Sequence, residues 1–195
     1  MEGVEVVRTI ALMQGCNTVG ISYHIRNRST EDAVLRVTPH LQFVPKGQRL
    51  STKQEFTMTA EKIISNGQTL YYQTNGTCEQ MPTSFCEVLY YADDIRDGKM
   101  ALGRSAMNHE ITFCVEAGKE DTLEIVYGTE FTLPKMDEII SGLVEYRNSL
   151  RKQAGFEDPI AEMLAVSANQ FISYRSSTAG QTILAGFPFF EDWGR

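Results

Sequence analysis

Asp192, Trp193 and Arg195 fall together in the terminal run "TILAGFPFFEDWGR", residues 182–195, with Gly194 between the last two. An indole face packs against the apolar C–H side of a pyranose, while carboxylate and guanidinium groups hydrogen-bond its hydroxyls. These residue types in one short stretch are the material of a sugar pocket. Phe187, Phe189 and Phe190 read more simply as buried aromatics of a turn.

Other groupings point to no chemistry. "YYADDIRDGK" places Asp93, Asp94 and Asp97 ahead of Gly98, but a calcium loop counted from Asp93 needs an oxygen ligand third and Glu twelfth. Those positions hold Ile95 and Arg104, so the run reads as a solvated turn. His24, His40 and His109 lie in separate strand-like segments, and His109 and its neighbour Glu110 should point to opposite faces of a strand. The four cysteines (Cys16, Cys78, Cys86, Cys114) form no C-x-x-C pair, which speaks against a metal site and for small buried hydrophobes. No glycine-rich phosphate loop and no nucleophile elbow is present. Tyr71, Tyr72, Tyr90 and Tyr91 read as sheet packing. No catalytic residue, metal ligand or cofactor site is therefore assigned.

The composition narrows the classes further. A chain of 195 residues, 42% hydrophobic and 22% charged, is that of a soluble globular protein. A net charge of −7 argues against a nucleic-acid partner, which calls for clustered Lys and Arg. No apolar run has the length of a membrane span, and the start "MEGVEVVRTI" carries acids where a signal peptide has bases. The expected location is cytoplasmic.

The elements that would position the terminal run are mostly strands. Residues 4–13, 18–26 and 34–43 are rich in β-branched residues with partial period-two alternation. Asn66-Gly67 between "EKIIS" and "QTLYYQT" signals a tight hairpin. "HEITFCV" and "DTLEIVYGTEF" flank "EAGKE", and a hairpin there would set Ile111, Phe113 and Val115 against Leu123, Ile125 and Tyr127. Successive short strands without intervening helices predict an antiparallel sandwich. At Pro134 the period changes to 3.6. Asp137 and Glu138 suit a first helical turn, Arg147, Arg151 and Lys152 a last one, and Gly155 a stop. The apolar stripe is Ile139, Ile140, Leu143, Val144 and Leu150. A second helix starts at Asp158-Pro159, a cap followed by Pro at N1, with Ala161, Leu164, Ala165, Ala168, Phe171 and Ile172 as its buried face. "SSTAG" ends it.

"ANQFISYRSSTAGQTILAGFPFFEDWGR" resembles the junction in bacterial and archaeal glycogen debranching enzymes of the amylo-α-1,6-glucosidase type. The matching positions are Ala168, Phe171, Arg175, Thr182, Ile183, Ala185, Gly186, Phe187, Pro188, Phe190, Asp192, Trp193, Gly194 and Arg195. Phe189 stands where that family usually has Trp. "YYADDIRDGK" and "LEIVYGTEF" resemble the second half of the family's N-terminal β-sandwich.

The resemblance implies a β-supersandwich followed by an (α/α)6 toroid that hydrolyses α-1,6-linked glucosyl stubs of glycogen or related glucans. Related six-hairpin glycosidases invert configuration with two carboxylic acids ~6.5–9.5 Å apart. In the family both lie downstream of the signature, so no catalytic residue is assigned here, and Asp192, Trp193 and Arg195 become substrate-binding residues. Residues 1–133 would be the partial sandwich, 134–157 a linker helix, and 158–195 the start of the toroid. The resemblance further implies that the chain begins partway into the sandwich and ends one residue before an Asp partner of Arg195. A partial sandwich should expose sheet faces and self-associate. Two alternatives stay open: a non-catalytic sandwich that binds glucan or a protein, and part of another six-hairpin glycosidase.

Overall fold

The computed structural model describes residues 3–45, 48–90, 96 and 102–184. Three antiparallel sheets account for its strands. The largest is built from β1 (Val4–Leu12), β2 (Thr18–Asn27), β4 (Thr57–Met58), β5 (Lys62–Ser65), β6 (Gln68–Thr74) and β9 (Glu120–Gly128) in the order β1-β2-β9-β6-β5-β4. A second sheet orders β3 (Ala33–Val37), β8 (Leu102–Val115) and β7 (Thr77–Tyr90) as β3-β8-β7. β10 (Ile172–Arg175) and β11 (Gly180–Ile183) form a separate hairpin. Helices α1 (Met136–Ala154) and α2 (Pro159–Ala168) lie between β9 and β10 in the chain. Mainly antiparallel β structure followed by helices is the fold class expected from the sequence.

Alternation dictates what the first two sheets share. Val19 and Tyr23 of β2, Tyr72 of β6 and Leu123, Ile125 and Tyr127 of β9 meet Leu35, Val37, Ile111 and Phe113 in one apolar core. Ile63, Ile111 and Leu123 are fully buried. Two half-buried sheets thus close on each other as a sandwich. Asn27 plugs one end: its Nδ2 donates to the carbonyls of Glu31 (2.8 Å) and Val115 (3.0 Å), and its Oδ1 accepts from Ser29 Oγ (2.6 Å).

Three local expectations change. The run expected as one strand over 34–43 pairs only from Ala33 to Val37, because Thr38-Pro39 interrupts the ladder; beyond it Leu41 makes an isolated bridge to Ala106. "HEITFCV" and "DTLEIVYGTEF" do not form a hairpin. β8 pairs with β3 and β7, whereas β9 pairs with β2 and β6. Their apolar rows meet face to face across the sandwich instead, since the turn Glu116–Lys119 carries the chain from one sheet to the other. The cysteines are not buried hydrophobes: Cys16 and Cys114 are exposed, and Cys78 and Cys86 are half-buried. The expected hairpin at Asn66-Gly67 does form, with φ of 49° and 71° at the two turn residues.

The chain divides into two compact units, Met1–Ile140 and Ser141–Arg195. In the first, the opening turn of α1 packs on the outer face of the six-stranded sheet. Ala11, Gly20, Val126 and Gln73 are consecutive cross-strand partners there. Met136 and Ile139 fill the space above Gly20, where a Cβ would collide with Met136 Sδ. Ile140 and Val144 of the expected stripe are exposed. Gly155, at φ +64°, follows α1, and its N–H bonds to the Arg151 carbonyl (3.2 Å), as a left-handed C′ residue should.

In the second unit, Asp158 caps α2, its Oδ1 accepting from the amides of Ile160 (2.8 Å) and Ala161 (2.9 Å). The helix stops at Ala168, earlier than expected. A 3-10 turn at Asn169–Phe171 follows, and Ile172–Arg175 is strand. The reason is local: the β-branched and aromatic alternation of Ile172 and Tyr174 finds a partner strand in residues 180–183. Leu164, Phe171 and Ile172, expected on a buried helical face, are exposed. Neither described helix is long and apolar enough to cross a membrane.

Candidate functional site

Asp192, Trp193 and Arg195 lie outside the described residues, as do Ala185 to Phe190 of the same signature and Asp93, Asp94 and Asp97. The structure does show what leads into the signature. β10 and β11 pair in the register Ile172↔Ile183, Ser173↔Thr182, Tyr174↔Gln181 and Arg175↔Gly180. Their connection passes through Ser176–Thr178 to Ala179, whose φ of 49° turns the chain back. The amide of Leu184 then donates to the carbonyl of Phe171 (2.7 Å). The hairpin therefore sets Thr182 and Ile183 opposite Ser173 and Ile172 and brings Leu184 to Phe171, so two parts of the signature separated in sequence become adjacent. Inside this unit Asn169 Nδ2 donates to Tyr146 Oη (2.7 Å), tying the end of α2 to α1.

A buried polar cluster in the sandwich is the feature sequence reasoning missed. His109 on β8 is fully buried. Its Nδ1 lies 2.8 Å from Asn108 Oδ1 and its Nε2 3.3 Å from Tyr127 Oη. Tyr72 stacks on the ring with centroids 5.9 Å apart, and its own hydroxyl donates to the Thr59 carbonyl (3.0 Å). Burial lowers the imidazole to about 4 and raises both tyrosine hydroxyls above their ordinary value. Such a ring is neutral, enclosed and hydrogen-bonded at both nitrogens. It can hold the two sheets in register, but no substrate can reach it to exchange a proton. The signal that could have found it, an Asn-His pair within a strand, has meaning only once the opposing sheet is known.

Beside that cluster, an apolar cleft of ≈ 410 Å³ opens between β2 and the segment after β3, with Val19, Ile21, Val37 and Leu41 among its walls. His40 at its rim is tied to Ser105, Nδ1 to Oγ 2.6 Å. Among the described residues no three His, Cys, Asp or Glu side chains converge on a point that could hold a metal ion.

A family model described as "Glycogen debranching enzyme N terminal" matches residues 1–122. Among solved structures, the chain is similar to a bacterial glucoamylase complexed with acarbose, at 12% identity and a TM-score of 0.31. That similarity covers 91% of this chain and 27% of the other, so the chain spans about a quarter of its length. No curated protein sequence matches.

Proposed function

This chain belongs to the glycogen debranching enzyme N-terminal family, and we propose that it is the sandwich region and following helical segment of an α-glucan debranching hydrolase of the amylo-α-1,6-glucosidase type. One observation carries this reading. The family match ends at residue 122, whereas the sugar-site signature occupies residues 168–195, so two stretches that do not overlap indicate the same enzyme class.

In this reading residues 1–133 are the sandwich, 134–157 the linking helix and 158–195 the opening of a helical catalytic domain. Trp193 packs on the face of a terminal glucose while Asp192 and Arg195 hydrogen-bond its hydroxyls. The ligand is glycogen or a related α-glucan. Inversion at the anomeric carbon needs one carboxylic acid to protonate the leaving oxygen and a second to activate water. With both assigned downstream, the 195-residue chain binds sugar without hydrolysing it. Four free thiols support a cytoplasmic location.

The test uses a phosphorylase limit dextrin. The 195-residue chain should release no glucose, while a chain extended downstream releases it and loses about a hundredfold or more in kcat/KM on Trp193→Ala. Glucose release by the 195-residue chain, or none by the extended one, sinks the reading.

A further inference from the structure

On the outer face of the six-stranded sheet, Tyr71 and Phe131 meet edge to face, ring centroids 5.6 Å apart and planes at 85°. Phe131 is 71% exposed, a large apolar surface left in water on a short loop. Tyr71 stands in β6 between Gly128 and Lys62, its cross-strand partners. Gly128 has no side chain, and Leu133 Cδ2 sits where its Cβ would be, 2.7 Å from that point. The segment 129–135 is thereby laid flat on the sheet. It is pinned at both ends, by Thr129 N–H to the Asn17 carbonyl (3.2 Å) and by Gln73 Nε2 to the Pro134 carbonyl.

A cleft of ≈ 190 Å³ remains, lined by Glu61, Tyr71, Tyr72, Gln73, Phe131 and Leu133. Its chemistry is mixed in a particular way. Two rings at right angles offer an apolar wall and floor. The Glu61 carboxylate has no hydrogen bond or ion pair among the described residues, and Gln73 keeps its amide oxygen after donating to Pro134. A phosphorylated ligand would meet the Glu61 charge, with no arginine in the lining to offset it. A hydrocarbon would bury that carboxylate unpaired. A pyranose meets both demands, placing C–H groups on the rings and hydroxyl donors on the carboxylate and amide oxygens. Because the loop is already fixed, little ordering cost attends binding.

We propose that this cleft binds a glucosyl residue of an α-glucan chain. The hexose class follows from the cleft; the α-glucan follows from the function proposed above and rests on it.

Titration calorimetry of the 195-residue chain carrying Trp193→Ala, which removes the sugar contact assigned above to the terminal signature, with maltoheptaose and with cellohexaose separates the two claims. Maltoheptaose should bind, and Phe131→Ala should weaken it about tenfold, the scale of one lost aromatic contact. Phe131→Trp should restore binding, and Glu61→Gln should weaken it severalfold. The thermal midpoint of Phe131→Ala should stay near that of the parent, since the ring is exposed. Maltoheptaose binding that survives Phe131→Ala overturns the cleft while leaving the debranching reading standing. Cellohexaose bound through Phe131 in place of maltoheptaose overturns the α-glucan assignment and the reading beneath it, but keeps a hexose site. Binding of neither sugar overturns the cleft.

Discussion

His109 and Tyr127 come from opposite sheets of the sandwich and are joined across its core, Nε2 to Oη, at 3.3 Å. The partner of the other ring nitrogen fixes the tautomer. With the Asn108 amide assigned Oδ1 toward the ring, Nδ1 carries the proton and Nε2 accepts from the tyrosine hydroxyl. The groups around the ring, Tyr72, Tyr127 and Asn108, are uncharged, so nothing offsets the loss of water around an imidazolium.

The pH dependence follows with a definite sign. Burial holds the folded imidazole at about 4, below its ordinary 6.5, so the unfolded chain takes up the proton first as pH falls. Stability from this group is complete above pH 6.5 and is lost as pH drops from 6.5 toward 4, with a slope of up to about 1.4 kcal/mol per pH unit for one proton. Thermal melts of the parent and of His109→Gln across this range should diverge accordingly. Equal slopes, or a His109 imidazole signal in NMR that titrates near 6.5 in the folded chain, would refute the assignment.

Gly20 should be intolerant of any side chain for a reason unrelated to backbone freedom. Its position beneath Met136 Sδ and Ile139 Cδ1 leaves no room for a Cβ, although the methionine can yield where the branched isoleucine cannot. Gly20→Ala is expected to cost about 1–3 kcal/mol in urea unfolding, and Gly20→Val more. Amide exchange should quicken first at residues 136–140, where α1 sits on the sheet. Uniform quickening with an undisturbed helix start would show that the strain falls elsewhere.

The thiols should divide into two pairs. Cys16 and Cys114 are exposed, and Cys78 and Cys86 are half-buried. Burial also raises the Cys78 thiol above its ordinary value, with the Tyr72 hydroxyl 3.8 Å away. Titration of the native chain with a chromogenic disulfide should give two rapid equivalents and two slow ones at pH 8. Four rapid equivalents would mean that the core near Tyr72 opens freely.

Legibility in the sequence followed range. Asn66-Gly67, Asp158-Pro159 and Gly155 each signal their structure through one residue's own backbone or side chain, and each forms as read. Ile111, Phe113 and Val115 were recognised as a row facing Leu123, Ile125 and Tyr127, yet hairpin and sandwich leave the same alternation in the sequence. Only the non-local pairing of β9 with β2 and β6 decides between them. Ile172 suits a helix stripe and a strand equally, and β11 decides. Among candidate site residues, Asp192, Trp193 and Arg195 were visible because they are close in sequence. Tyr71 was read as sheet packing, because Phe131 joins it only through the fold.

The edge of the large sheet carries the last prediction. β1 is its terminal strand among the described residues, and Val6, Ile10 and Leu12 are 46%, 56% and 67% exposed. Their partners in β2 are Ile25, Ile21 and Val19, so they lie on the face that elsewhere forms the core. Ile21 and Val19 also line the cleft of ≈ 410 Å³, which makes one apolar surface of strand edge and cleft. A strand with one edge unpaired among the described residues and an uncovered core face favours pairing with a second copy of the chain. The 195-residue chain should therefore show a concentration-dependent mass in light scattering. Ile10→Lys with Leu12→Lys should return it to monomer, because two ammonium groups on that face cannot be buried against another copy. Both residues are solvent-facing, so the variant should melt within a few degrees of the parent. A parent that is monomeric at every concentration would refute the self-association, and a variant that still associates would move it to another face.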